Sequence, residues 1–107
     1  MYVNFEAGNR EYKLRLNTRS VVALEKTLGT NPLNIFNGEK LPPITQMVAV
    51  LHAALQQYQH NISMNDAYEI FDSYIEDGHS MDEFIFIIVD IYRESGIIPK
   101  EVDTEKN

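Results

Sequence analysis

Tyr12, Leu14 and Leu16 alternate strictly with Glu11, Lys13 and Arg15. No other feature limits so sharply what this chain can fold into. A period of two is the mark of a strand with one face buried and one in water. Just upstream stands Gly8-Asn9, a good two-residue turn, because glycine tolerates the positive φ that tight hairpins require. A turn there fixes the register. Phe5 faces Tyr12, Val3 faces Leu14 and Met1 faces Leu16, and all six are apolar on one face. A lone hairpin is marginal in water, so the rest of the chain has to supply helices that cover it.

The helices are legible in turn. Asn17 or Thr18 caps a first helix with a stripe of Val21, Leu24 and Leu28, and Gly29 ends it. Residues 30–38 read as one helical turn closed by Gly38. Pro42-Pro43 leads into a second helix from Ile44 to Tyr58, with Ile44, Met47, Val48, Leu51, Ala54, Leu55 and Tyr58 at helical spacing. Ser63 caps a third helix, with Asp66 three residues on. Its inward set is Met64, Ala67, Tyr68, Phe71, Tyr74 and Ile75, and Gly78 closes it. Ser80 and Glu83 form a capping box for a fourth helix, whose inward face is Met81, Phe84, Ile85, Ile88, Ile91 and Tyr92. The run Phe84–Val89 would also suit a strand. The box before it and Gly96 after it favour helix. The expected fold is α+β, an N-terminal two-stranded β-hairpin packed on a bundle of about four α-helices. Residues 1–98 form one domain, and 99–107 form a disordered acidic tail.

The 107 residues suffice for one domain with a real core, since a chain of this size buries roughly two-thirds of its unfolded surface. There is no cysteine, which excludes disulfides and thiolate metal sites. Residues 1–6 do not read as a secretory leader, and no apolar stretch approaches the ~20 residues that span a bilayer. The expected location is the cytoplasm, with no membrane partner.

The net charge of −7 is unevenly spread. Residues 1–62 hold four acids and six bases, whereas residues 63–107 hold twelve acids and three bases. An acidic chain repels phosphate backbones, so no nucleic-acid partner is expected. The polarity points to a basic protein partner or to a second copy bound head to tail.

Few residues fall in patterns that carry chemistry. The segment from Asp77 to Phe84 is similar to a calcium-binding EF-hand loop, but Gly78 and Glu83 are one residue too close, and Ser73 and Ile75 stand where the first carboxylates belong. His52, His60 and His79 lie on separate elements with no HxxxH or HxH pair. No phosphate loop, nucleophile elbow or selected carboxylate pair is present. No enzyme activity, metal or other cofactor is expected.

Two features stand out from a generic helical domain. The third helix carries Asp66, Glu69, Asp72 and Glu76 without one basic residue. That face is either solvated or a dock for a basic partner. Phe86 falls among Asp82, Glu83, Asp90 and Arg93 on the polar side of the last helix, with Val89 at its edge. Both either meet another part of the fold or form an interface. Monomer burial suits Val89 better than Phe86.

The segments Tyr12-Lys13-Leu14-Arg15-Leu16, Val21-Val22-Ala23-Leu24-Glu25-Lys26-Thr27-Leu28-Gly29 and Asn31-Pro32-Leu33 resemble the tail assembly chaperones of long-tailed bacteriophages and prophages. The pattern covers residues 3–36, and the acidic helical remainder is similar in character. The resemblance implies no catalysis. It implies a protein that coats the tape measure protein while tail tube subunits polymerise, and that self-associates as a homo-oligomer. It also implies action in the host cytoplasm and absence from the mature virion. Many such genes yield a longer frameshifted product, and Glu105-Lys106-Asn107 can be encoded by GAA-AAA-AAC, a slippery run. The alternative is a small regulatory adaptor, such as an anti-repressor whose acidic face imitates DNA. A calcium sensor is a third option, damaged by the loop spacing.

Overall fold

In a computed structural model, which describes residues 1–36, 38 and 40–100, β1 (Val3–Ala7) and β2 (Arg10–Leu14) pair antiparallel. Val3 lies opposite Leu14 and Phe5 opposite Tyr12, the register that the turn chemistry predicts. Gly8 and Asn9 have φ of 60° and 65°, as a type I′ turn demands at both of its central residues. The third expected pair does not form. The ladder stops at Val3 and Leu14, and Met1 is 71% exposed while Leu16 is fully buried. Beyond Leu14 the backbone finds other partners. The Arg15 N–H donates to the Ala54 carbonyl at 3.0 Å, and the Leu16 N–H donates to Ser95 Oγ at 2.9 Å.

In α1 (Thr18–Leu28), Asn17 Oδ1 accepts the Ser20 N–H at 2.8 Å, and Gly29 closes the helix at φ 74°. Leu24 is buried, and Val21 and Leu28 are half-buried. A 3-10 turn at Pro32–Ile35 follows, capped by Asn31 and ending at Phe36 rather than at Gly38.

The α2 helix (Ile44–Leu55) departs most from expectation. It buries Met47, Val48, Ala49, Val50, Leu51, Ala53, Ala54 and Leu55, so it is apolar almost all round rather than striped. It packs against α1, β2 and the two later helices, which leaves it little solvent face to keep polar. Ile44 and Tyr58, expected inward, are exposed. The helix stops short of Tyr58 because Gln59 turns back onto the hairpin. Its Oε1 accepts the Lys13 N–H at 2.9 Å, and its Nε2 donates to the carbonyls of Lys13 at 3.0 Å and Leu55 at 2.7 Å. One side-chain amide thus satisfies an edge of β2 that would otherwise lie open.

In α3 (Met64–Glu76), the Ser63–Asp66 capping box is complete. Ile70 is buried and Tyr68 is exposed, the reverse of the expected choice. In α4 (Met81–Glu94), Ser80 and Glu83 form the expected box, with Glu83 Oε1 accepting the Ser80 N–H at 2.7 Å. The run Phe84–Val89 is helical. The helix ends in a Schellman pattern, with the Ile97 N–H on the Tyr92 carbonyl at 2.9 Å, the Gly96 N–H on the Arg93 carbonyl at 3.2 Å and Gly96 at φ 82°. Met81 is exposed and Ile85 half-buried, so α4's inward face is narrower than expected.

The fold is α+β, with the hairpin capping the helices. Phe5 reaches the ring of Tyr74 at 5.2 Å and that of Phe84 at 5.8 Å, and Phe71 meets Phe84 edge-on at 5.1 Å. Such pairs add about 0.5–1.5 kcal/mol each beyond buried area. Farther along α4 from Phe84, Tyr92 is fully buried, and its hydroxyl donates to the Pro32 carbonyl at 2.9 Å. The tail expected over 99–107 lies, from 101 onward, outside the described residues.

Candidate protein-binding surfaces

The inward set Phe84, Ile88, Ile91 and Tyr92 fixes the rotation of α4, and that rotation turns Phe86 out. Phe86 is 71% exposed. Asp82 and Asp90 stand one turn to either side of it, and Glu83 lies three residues back. Leaving such a ring in water forgoes about 2 kcal/mol of burial, which makes it the most conspicuous apolar group on the outer side of this helix. Val89 is half-buried at the margin. The surrounding carboxylates are partly engaged. Asp82 accepts the Ser80 hydroxyl, which holds its carboxyl below the usual carboxylate range. Glu83 takes the Ser80 N–H and lies 3.3 Å from His79 Nδ1. Asp90 makes only a loose, exposed 3.9 Å pair with Arg93, a kind of contact that contributes little.

The four acids of α3 divide. Asp66 belongs to the capping box, and the Ser63 N–H and hydroxyl hold its carboxyl below the usual range. Glu69, Asp72 and Glu76 follow at i, i+3 and i+7, so they share one exposed face. Asp66 and Glu69 also line a cleft of about 430 Å³ whose other walls include Gly8, Arg10, Tyr12 and His60. That cleft takes nothing from α4, so it does not unite the acids with Phe86. Asp77, just beyond α3, accepts the Gly8 N–H at 2.9 Å and pins the hairpin turn.

Sequence reasoning missed a third surface. Between α1 and α2 runs an apolar groove of about 330 Å³, floored by Leu24, Ala49 and Ala53 and bordered by Ala23 and Arg19. A shallower depression shares Arg19 and Ala23 and extends over Val22 and Lys26. Val22 is 45% exposed. One wall is fixed in place. His52 Nε2 lies 3.1 Å from the Ile62 carbonyl, and Gln56 Nε2 donates to that same oxygen at 2.9 Å. The available signal was the facing alanines, Ala23 on one helix and Ala49 and Ala53 on the other, which leave room that larger side chains would fill.

Among the described residues, no group of three histidine or carboxylate side chains converges to hold a metal ion. His79 instead stacks on Tyr74, with ring centroids 4.3 Å apart. No helix among the described residues is long and apolar enough to cross a membrane.

No curated protein and no solved structure matches the chain. A family model described as a family of unknown function (DUF6096) matches residues 3–106, almost the whole length, and the chain belongs to that family.

Proposed function

We propose that this chain is a non-enzymatic tail assembly chaperone of a long-tailed phage or prophage. It binds the tape measure protein in the host cytoplasm, self-associates, and is displaced when the tail tube protein polymerises. The observation that carries the reading is Phe86, a large aromatic held out in water on a helix whose neighbouring exposed positions, Asp82, Glu83 and Asp90, are acidic. An apolar anchor within a charged rim is the usual build of a protein-binding surface. A client that is long, helical and prone to aggregate presents apolar stripes for such an anchor to cover. Release by the tube protein requires that each contact be modest.

The test is co-expression with the long helical protein encoded near this gene, read as the soluble fraction of that protein. This chain is expected to raise the soluble fraction, and Phe86→Asp to lower it again. A client equally insoluble with and without this chain would overturn the reading.

One observation favours a second reading. Glu69, Asp72 and Glu76 share an exposed face, as on an acidic adaptor or a DNA-mimicking anti-repressor that binds a basic partner. Salt-sensitive binding to a repressor, lost on charge reversal of Asp72, would support it. Binding that ignores both changes would remove it.

A further inference from the structure

We propose that copies of this chain associate head to tail, with the Phe86 ring of one copy seated in the α1/α2 groove of the next. This deepens the self-association in the reading above and rests on it.

The two surfaces match in shape. An apolar cavity of about 150 Å³ accommodates a benzene ring, and the groove offers about 330 Å³ over Leu24, Ala49 and Ala53. They also match in charge. The groove and the adjoining depression are bordered by Arg19 and Lys26, and among the described residues no carboxylate lines either. Phe86 is bordered by Asp82, Glu83 and Asp90. A two-fold contact between two Phe86 faces would instead set those acids against their own copies, which opposes pairing. The whole chain has the same polarity, with two more bases than acids in residues 1–62 and nine more acids than bases in residues 63–107. Knob and groove lie on different helices, so after pairing one copy still offers a free knob and the other a free groove. Such a contact continues into rings or open chains.

The experiment is sedimentation velocity on the full chain, on Phe86→Asp, on Ala23→Trp and on an equimolar mixture of the two variants. Phe86 and Ala23 are both exposed, so far-UV circular dichroism should not change. Val22→Asp serves in place of Ala23→Trp should that variant fail to fold. The full chain is expected to form species larger than dimers as concentration rises, and to lose them as salt rises. Each variant alone should associate at least about thirtyfold more weakly. The mixture should form a one-to-one dimer and stop there, because one variant keeps only its knob and the other only its groove.

A full chain that stays monomeric, variants that associate as it does, or a mixture without heterodimer would each overturn the proposal. The client reading is separable. Should the full chain be monomeric yet still keep the tape measure protein soluble, self-association alone falls. Loss of that client binding in Ala23→Trp would then assign the groove to a foreign helix.

Discussion

Replacing Tyr92 by phenylalanine isolates one hydroxyl. The ring stays, and with it the edge-on contact to Phe36 at 5.8 Å. What goes is the bond to the Pro32 carbonyl, which leaves that acceptor inside the fold without its tyrosine donor. A stranded buried acceptor costs about 1–3 kcal/mol. A middle figure of about 2 kcal/mol lowers Tm by about 8 °C in a domain of this size. The pH dependence is the sharper part. Burial pushes the Tyr92 phenol well above its ordinary pKa of 10.0. Below that ordinary value the phenol is neutral in both the folded and the unfolded chain, and its contribution to stability is fully present. Above it the unfolded chain sheds the proton and the folded one keeps it. Stability is therefore lost as pH rises toward the folded value, by about 1.4 kcal/mol per pH unit. The Tyr92→Phe variant has no phenol at that position and carries no such penalty. Effects of pH common to both proteins cancel in the difference. The gap between wild type and Tyr92→Phe should therefore shrink above about pH 10 and close near about pH 11.5. Urea unfolding at about pH 7, 10 and 11.5 measures it. A gap that stays constant across that series, or a variant as stable as wild type at neutral pH, would refute the reasoning.

Two further outcomes concern the ends of elements. Gly8→Ala places a side chain at φ +60°, with Ser73 Cβ and Oγ only 3.2 Å from the new carbon. A urea midpoint should report a loss of about 1–2 kcal/mol, and adding Ser73→Ala should recover only part of it. Ser63→Ala removes one half of the α3 cap and should cost about 1 kcal/mol. The Asp66 carboxyl is held below its usual value of 3.8, first by the Ser63 N–H and then by the Ser63 hydroxyl. The resulting stabilisation is present above that usual value and lost as pH falls through the lower folded one. The variant's acid-unfolding curve should accordingly be shallower there than that of wild type.

The parts of the fold that were legible in the sequence are those written locally. Gly8-Asn9 and the alternation around Tyr12 set the hairpin register, because turn conformation and side-chain period act within a few residues. Ser63, Ser80, Gly29 and Gly96 mark helix ends for the same reason. Two kinds of misreading arise where a residue's fate depends on distant chain. Ala49, Val50 and Ala53 fall outside the stripe read for α2, yet they are buried because other elements cover the helix on several sides. The absence of any acid, lysine or arginine from Ile44 to Leu55 was the clue, and a search for one stripe passes over it. Tyr68 and Ile70 both flank the α3 stripe, and only the packing partner decides between them. The surfaces divide in the same way. Phe86 was conspicuous because its own helix surrounds it with acids. The α1/α2 groove left only its small residues, Ala23, Ala49 and Ala53, as a trace, because it exists between two helices brought together by the fold.

The hairpin has a consequence for the timing of folding. The Gly8 N–H is held by Asp77, 69 residues on, and the Leu16 N–H by Ser95, 79 residues on. The hairpin therefore leaves the ribosome well before the residues that hold it. At about 5–20 residues per second, the segment after Leu16 waits roughly four to sixteen seconds for Ser95 to be made. The α3 and α4 helices are themselves made only in the later part of that interval, and until then Phe5, Tyr12 and Leu14 have neither to cover them. The nascent protein is thus a late folder by construction. Shortening the chain before α3 leaves Phe5 without the rings of Tyr74 and Phe84 and the apolar sheet face open.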